Sequence, residues 1–321
     1  MPSNIKRNFV VIGGGTGLSS LLRGLKKLTP DITAIVTVSD DGGSSGALRR
    51  ELGMLPPGDI RNCLVALSEE ETLMSQLFQY RFPKNGGGPL SGHSFGNLFI
   101  AAISSVTGGF DTGIERSSKV LAIRGRVLPV TLRSVHLEAT LENGRKVSGE
   151  SSITRANSKI KDLRIIPAAP PAAPRVIEAI KRADAVIVGP GSLYTSIVSN
   201  FLVKGIVPAL RKFNKKIIYV CNIMTQPGET SGYSLTGHLD ALSKYTGRNI
   251  FDYAVVNSGR IPAAIAKRYS KENSFPVVID ASRYEGTRIV KADILSHFEY
   301  ARHDPNKLAE VIDSILTARK K

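Results

Sequence analysis

The hydrophobic pattern alternates between short apolar runs and amphipathic stretches. The run FVVI at residues 9–12 is continuous, as in a strand that is buried on both faces. Leucines at 18, 21, 22, 25 and 28 follow it, and their spacing of three and four residues predicts a helix. DITAIVTVSDD at 31–41 is a second β-rich run, so the chain opens with a βαβ unit.

The same patterns predict further elements along the chain. Helices are expected at ETLMSQLFQYRF (71–82), at NLFIAAISSV (97–106) and at the tail PNKLAEVIDSILTARK (305–320), where Asp304 is a candidate cap and Pro305 stands near the start. The stretch 175–203 predicts helix, strand, glycine loop and helix in turn. KKIIYVCNIM (215–224), FDYAVVN (251–257) and FPVVID (275–280) are predicted buried strands.

A central segment has a different pattern. From about 127 to 166 apolar and polar residues alternate, and Asn143-Gly144 is a typical hairpin turn, which predicts an antiparallel β insertion. PAAPPAAP (167–174) then predicts an extended crossing back into the main fold. The predicted architecture is one α/β domain over 1–321: a Rossmann-like, doubly wound, mainly parallel sheet with a β-hairpin insertion.

Composition narrows the class of protein. The chain has 321 residues, 42% of them hydrophobic, and a formal net charge of +16, which favours an anionic partner such as a nucleotide. The basic residues are scattered and Trp is absent, so nucleic acid is not the expected partner. No secretory signal and no apolar stretch of about 20 residues occurs, which predicts a cytoplasmic protein without a membrane span. The two cysteines, Cys63 and Cys221, lack metal-site spacing, and Cys221 is interpreted as a core residue.

A glycine loop between the first strand and helix is the first candidate site. Glycines allow a sharp turn and close approach to an anion, which the backbone N–H groups of the next helix would then face. The spacing departs from the usual dinucleotide fingerprint, which needs a glycine where Leu18 or Ser20 stands. A simple tight turn is the alternative. The candidate residues are Gly13, Gly14, Gly15, Thr16, Gly17 and Leu18.

A second small-residue loop, SDDGGSSG, follows the next strand. Asp40 stands about 25 residues after the first loop, where an acid would bond a ribose hydroxyl. Asp40 and Asp41 together are also candidate ligands for a cation such as Mg²⁺, with hydroxyls nearby to support a phosphate. A capped helix start is the alternative. The candidates here are Asp40, Asp41, Gly42, Gly43, Ser44, Ser45 and Arg49.

Three later segments carry similar signals. PPGDIRN offers Asp59, Arg61 and Asn62, with Asp59 as a simple helix cap in the alternative interpretation. GHSFGN offers His93 and Asn97, although a single loop histidine is as readily structural. VIVGPGSLY places Gly189, Gly191 and Ser192 between a strand and a helix. Because ligands bind beyond the carboxyl ends of parallel strands, the convergence of these loops predicts a nucleotide cleft.

Taken in order, GGGTGL, SDDGGSSG, PPGDIRN, GHSFGN, GPGSLYTSI and CNIMTQPGET resemble the YvcK-type gluconeogenesis factors of the CofD-like (UPF0052) family, over nearly the whole chain. The resemblance implies a Rossmann-like fold and a nucleotide or phosphate site at residues 14–18, 40–41 and the GGSSG loop. It also implies that Asn222, Thr225 and Gln226 lie on the loop that faces this site. The DDGGSSG form of the loop speaks against the deazaflavin substrate of the CofD branch.

The resemblance favours a bacterial regulatory protein that binds a UDP-sugar and controls cell shape during growth on gluconeogenic carbon sources. Two alternatives stay open. One is a transferase of the CofD type that acts on a nucleotide diphosphate with Mg²⁺. The other is an oxidoreductase that binds NAD(P). No nucleophile–base pair identifies catalytic residues, so an enzymatic role is not the first expectation. The β insertion is a candidate surface for homo-oligomers.

Overall fold

The computed structural model describes residues 7–69, 73–84, 88–296 and 300–318. The ends of two predicted helices, residues 71–72 and 319–320, therefore lie outside the described residues. The helices are α1 Gly15–Leu25, α2 Gly43–Leu52, α3 Gly58–Leu67, α4 Leu73–Gln79, α5 Phe95–Thr107, α6 Phe110–Val120, α7 Glu150–Arg155, α8 Pro174–Arg182, a π-helix Leu193–Val198 that runs into α9 Ser199–Phe201, α10 Ile206–Arg211, α11 Leu235–Thr246, α12 Ala263–Ser270 and α13 Pro305–Thr317.

Two sheets are present in the described part of the chain. The strands are β1 Phe9–Gly13, β2 Ile32–Val36, β3 Arg126–Pro129, β4 His136–Leu141, β5 Lys146–Ser148, β6 Ile160–Ile166, β7 Ala185–Val188, β8 Lys216–Val220, β9 Tyr253–Asn257, β10 Arg283–Tyr284 and β11 Thr287–Ala292. The main sheet has the order β10-β11-β9-β8-β7-β1-β2-β3, and the small sheet has the order β5-β4-β6. Only the β10–β11 pair of the main sheet is antiparallel, so the predicted Rossmann-like, doubly wound fold is confirmed.

Burial explains why the main strands have continuous apolar sequences. Every residue of β1, β2 and β7 is buried, because helices cover both faces of the sheet. Helix α1 packs its leucines against one face, with α3 and α13 beside it. The small sheet instead alternates buried and half-exposed residues along β4, since only one of its faces joins the core. The predicted cap is present: the Asp304 carboxylate accepts from two backbone N–H groups at the start of α13.

Three expectations need correction. The insertion was expected from about 127, but residues 126–129 form β3, which pairs in parallel with β2 in the main sheet; the antiparallel sheet begins at His136. FPVVID at 275–280 is not a strand. Pro276 has no N–H to give to a ladder, and Phe275 and Val277 bond the loop at 223–225 instead. The outer parallel strand is Thr287–Ala292, whose sequence carries three polar residues and was not predicted as a strand.

Candidate functional site

The order of the strands reverses between β1 and β7. These strands are direct neighbours, yet the chain leaves β1 toward β2 on one side and β7 toward β8 on the other. Such a switch point leaves a crevice beyond the carboxyl ends of the two strands, where open α/β sheets bind ligands. A cleft of about 360 Å³ lies there. We call it the switch cleft; its lining includes residues 14–17, 190–192, 222–227 and 301–303.

The two glycine loops of the switch cleft pack backbone against backbone. A Cβ on Gly17 would stand 2.7 Å from the Pro190 carbonyl oxygen, and a Cβ on Gly191 would stand 3.2 Å from the Gly14 oxygen. Gly15, the first residue of α1, has φ +68°, in the left-handed region. Small residues are therefore needed at this contact by sterics. The group that approaches closely in the structure is the other loop, and the predicted approach to an anion stays a prediction.

Polar side chains hold the second half of the cleft in place. The Asn222 amide both accepts from the Gly191 N–H (3.3 Å) and donates to the Gly191 oxygen (2.9 Å). Ser192 Oγ donates to Gln226 Oε1 at 2.8 Å. The Thr225 hydroxyl accepts the Phe275 N–H at 2.9 Å. The loops after β7 and β8 thus form one connected wall.

Two buried residues that the sequence did not single out fix this wall from behind. The Glu229 carboxylate is fully buried and accepts from the N–H groups of Tyr194 (2.9 Å) and Thr195 (3.3 Å) at the start of the π-helix. Burial raises the pKa of Glu229, and these hydrogen bonds oppose the shift. Asn200 donates to the Gly13 oxygen at 3.2 Å, which ties α9 to the end of β1. Neither residue stands next to a glycine run, so no local sequence pattern marks them as site residues.

The segment before α13 closes the cleft and was also missed. Arg302 is exposed and lies over the Tyr300 ring, 5.2 Å from its centroid. His303 is buried, and burial lowers its pKa to about 4, so the ring is neutral near pH 7 and Nε2–H donates to the Cys221 oxygen at 3.0 Å. Among the described residues that line the cleft, Arg302 is the one Arg or Lys side chain. A prediction of β11 as a strand of the parallel sheet would have drawn attention to residues 301–303, because they follow the carboxyl end of that strand.

A group of acids lies behind the first glycine loop. Asp59 does not cap its own helix; the Asp59 carboxylate faces the loop, and a Cβ on Gly14 would be 2.8 Å from Oδ2. Burial raises the Asp59 pKa to about 6, opposed by a hydrogen bond from the Gly15 N–H. Burial also raises the pKa of Glu150 well above its usual value, and the charges of Asp59 and Asp40 add to that shift. These three acids destabilise one another when all are ionised.

The small-residue loop after β2 is folded into helix α2. Its hydroxyls are committed to internal bonds. Ser44 Oγ accepts from the Ser94 N–H (3.2 Å) and from Asn97 Nδ2 (3.1 Å), and it lies 3.3 Å from His93 Nδ1. Ser45 Oγ accepts the Gly58 N–H at 3.1 Å. His93 and Asn97 are thereby placed as internal partners of Ser44, away from the lining of the switch cleft.

Arg61 and Asn62 lie on the first turn of α3. The Arg61 guanidinium donates to Ser94 Oγ and, at 2.7 Å, to the Asn62 side-chain oxygen. Burial, with the nearby charge of Arg81, lowers the Arg61 pKa. This pair therefore joins α3 to the start of α5 and does not line the switch cleft.

The two adjacent aspartates point to different neighbours. Asp40 Oδ1 accepts the Gly42 N–H at 2.9 Å, while its Oδ2 faces Gly58. Asp41 Oδ1 accepts the Ser151 N–H at 2.9 Å, so Asp41 anchors the loop to α7. Among the described residues, no group of three or more His, Cys, Asp or Glu is arranged to hold a metal ion. A cation held here would rely on one or two carboxylates plus ligand phosphates, as Mg²⁺ often does.

The predicted site residues thus divide into two sets. Nine line the switch cleft: Gly14, Gly15, Thr16, Gly17, Gly191, Ser192, Asn222, Thr225 and Gln226. The others lie outside its lining: Gly13, Leu18, Asp40, Asp41, Gly42, Gly43, Ser44, Ser45, Arg49, Asp59, Arg61, Asn62, His93, Asn97 and Gly189. Asp41 and Arg49 line a separate cleft, described below.

Comparisons with known proteins identify the family of the chain. The family model described as 2-phospho-L-lactate transferase CofD matches residues 9–295. The chain belongs to the CofD family. A protein of Halalkalibacterium halodurans named gluconeogenesis factor is 48% identical, over 96% of each chain. The gluconeogenesis factor of Bacillus subtilis is 46% identical, over 97% of this chain and 98% of that one.

A solved structure gives the same fold for a close sequence. A protein from Bacillus halodurans with a crystal structure has 48% sequence identity to this chain. The match covers 96% of this chain and 99% of that chain, and the two structures superpose with a TM-score of 0.92. The YvcK-type resemblance is therefore confirmed at the level of the family and the fold. Among the described residues of this CofD-family protein, none of the helices is long and apolar enough to cross a membrane.

Proposed function

We propose that this CofD-family protein binds a nucleotide sugar of the UDP type in the switch cleft and acts as a regulator of growth on gluconeogenic carbon sources and of cell shape. The observation that carries the proposal is the meeting of two glycine loops and Arg302 at the switch point. The N-terminus of α1 and the Arg302 guanidinium favour a diphosphate. The exposed Thr16 hydroxyl offers a partner for a sugar, and the NH2 groups of Asn222 and Gln226 each have a second hydrogen beyond their internal bonds.

The bonding of the cleft hydroxyls supports binding as the main role. Ser192 Oγ donates to an amide oxygen and Ser20 Oγ donates to the His303 backbone oxygen, at 2.8 and 3.2 Å. A serine nucleophile would instead need a base within hydrogen-bonding reach. His303 is held by the Cys221 oxygen. The relatives' name, gluconeogenesis factor, supports the physiological part of the proposal.

The test is calorimetric titration with UDP-N-acetylglucosamine. Replacing Arg302→Ala should weaken binding about tenfold or more, because a charge-assisted hydrogen bond to phosphate is lost. Arg260→Ala is the matched control, since Arg260 is exposed and does not line the cleft. Equal affinity in the wild type and in Arg302→Ala would contradict the proposed site. Release of UDP or UMP on chromatography would overturn a purely regulatory role.

A transferase of the CofD type is the second candidate, favoured by the family match and by the acids at Asp40 and Asp59. Mg²⁺ bound there would neutralise phosphate charge, and the glycine loops of the chain would orient the nucleotide. A parallel titration with GDP and Mg²⁺ separates this candidate: a preference for GDP that Asp40→Asn abolishes supports transfer chemistry. A preference for NAD(P) would instead favour the dinucleotide alternative.

A further inference from the structure

A second polar cleft lies between helix α2 and the small sheet with α7. Its volume is about 530 Å³, within the range of small-molecule sites. We call it the arginine cleft; its lining consists of Asp41, Gly46, Arg49, Arg50, Gly53, Ser134, His136, Ser148, Gly149, Ser151, Ser152 and Arg155. None of these residues also lines the switch cleft. The two clefts are therefore separate in the described structure.

Three guanidinium groups face the arginine cleft with little internal compensation. Within the described residues, Arg49, Arg50 and Arg155 have no carboxylate within ion-pair distance. Arg49 Nη2 donates to Ser134 Oγ at 3.2 Å and to the Val135 oxygen. Its Nη1 is buried without a hydrogen-bond partner in the described structure. An unpaired buried donor is costly, so a bound acceptor would stabilise it.

The negative charge of the lining is limited to one side chain. Asp41 is the only Asp or Glu among the described residues that line the cleft, and one of its oxygens already accepts the Ser151 N–H. Three guanidinium groups against one carboxylate leave an excess of positive charge. The remaining side chains are four serines and His136, which supply hydrogen-bonding groups and no large apolar surface. Arginine forks and hydroxyls are the groups that recognise phosphate oxygens.

We propose that the arginine cleft is a second binding site, for the phosphate monoester of a small polar metabolite. The phosphate lies among Arg49, Arg50 and Arg155, and the serine hydroxyls complete its coordination. The site does not depend on the nucleotide-sugar proposal, because it shares no lining residue with the switch cleft.

The experiment titrates the protein with inorganic phosphate and with glucose 6-phosphate, and with glucose as the uncharged probe. The double variant Arg50→Ala, Arg155→Ala should weaken phosphate binding about tenfold or more, since two charge-assisted contacts are lost. Both arginines are exposed, so the variant should fold, and thermal unfolding without ligand checks this. Arg145→Ala is the matched control, an exposed arginine in the connection between β4 and β5 that does not line the cleft.

The outcomes discriminate between sites. Loss of phosphate binding in the double variant, with wild-type affinity in Arg145→Ala and wild-type binding of UDP-N-acetylglucosamine in both, supports the proposal. Unchanged phosphate affinity in the double variant overturns it. Displacement of phosphate by saturating UDP-N-acetylglucosamine, or binding of glucose as tight as that of glucose 6-phosphate, also overturns it.

Discussion

Two glycine-rich loops of similar sequence follow neighbouring strands, yet they behave differently. The loop after β1 packs against the loop after β7 and lines the switch cleft. The loop after β2 becomes the first turn of α2, and its serines accept hydrogen bonds from α3 and α5. Both sequences allow close approach by another group. In the first case one side of the loop is left open to a ligand, and in the second the protein itself occupies that space.

The difference shows that glycine and serine content alone does not identify a ligand loop. What matters is whether the polar groups already have partners. The Ser44 hydroxyl has three neighbours within 3.3 Å, all from the segment 93–97. Thr16, by contrast, is exposed at the cleft. Substitutions in each loop can therefore separate binding from stability.

The largest effect is expected from Gly17→Ala. The new Cβ would meet the Pro190 carbonyl at 2.7 Å, so the two loops must separate. Overpacking of this kind costs about 1–3 kcal/mol of unfolding free energy, and binding of UDP-N-acetylglucosamine should be lost. Gly43→Ala is the control in the other loop, where no atom lies within 4 Å. It should lose about 1 kcal/mol through its positive φ and keep its affinity. Urea unfolding and calorimetry measure both quantities, and equal affinity in the two variants would contradict the comparison.

A smaller effect, confined to stability, is expected from Ser44→Ala. The substitution leaves the Ser94 N–H and the Asn97 amide buried without their acceptor. The expected cost is about 1–3 kcal/mol, with nucleotide-sugar affinity unchanged. Ser192→Ala should show the opposite pattern, because the Ser192 hydroxyl positions the Gln226 amide in the lining of the switch cleft. The comparison fails if Ser44→Ala weakens binding more than Ser192→Ala does.

The smallest effect is the pH dependence of Asp59→Asn. The Asp59 pKa is raised to about 6 by burial, from an ordinary value of 3.8. Well below pH 3.8 the carboxyl is protonated in both the folded and the unfolded chain. As pH rises through 3.8 toward 6, the unfolded chain ionises first and the folded protein loses stability. Asp59→Asn should therefore match the wild type near pH 3 and be more stable than the wild type near pH 7.

Denaturant unfolding at both pH values measures this difference, with Asp31→Asn as the exposed control. The same charge lies beside the N-terminus of α1, so binding of UDP-N-acetylglucosamine should tighten when the pH falls from 8 to 6. A wild-type affinity that weakens over that interval would show that Asp59 does not oppose the ligand phosphate.

Much of the fold could be predicted from local pattern. Continuous apolar runs identified β1, β2, β7, β8 and β9, because strands covered on both faces exclude polar residues. β11 was missed because it lies next to the edge strand β10, where exposed Arg288 and Lys291 interrupt the apolar run. The strand predicted at residues 275–280 was wrong. Val and Ile there have the composition of a strand, but Pro276 has no N–H to donate to a neighbouring strand.

The candidate site could be predicted only in part, for a physical reason. Glycine loops after strands are visible in sequence because close backbone contact and positive φ require that residue. The sequence therefore predicted loops of close approach at 13–17 and 189–192, and the structure shows that these two loops pack against each other. It also determined the family, through six ordered motifs.

Only the tertiary structure decided which groups face the switch cleft. Hydrogen-bond partners distant in sequence turned Ser44, His93 and Asn97 inward. Hydrogen bonds of His303 with Ser20 and Cys221 hold the segment that brings Arg302, more than 280 residues from Gly17, to the switch cleft. The adjacent aspartates have different neighbours: Asp40 faces Gly58, and Asp41 accepts the Ser151 N–H. The backbone conformation of a turn is a local requirement that the residue type reveals. Whether a polar side chain is free to bind another molecule depends on which groups the rest of the chain places beside it.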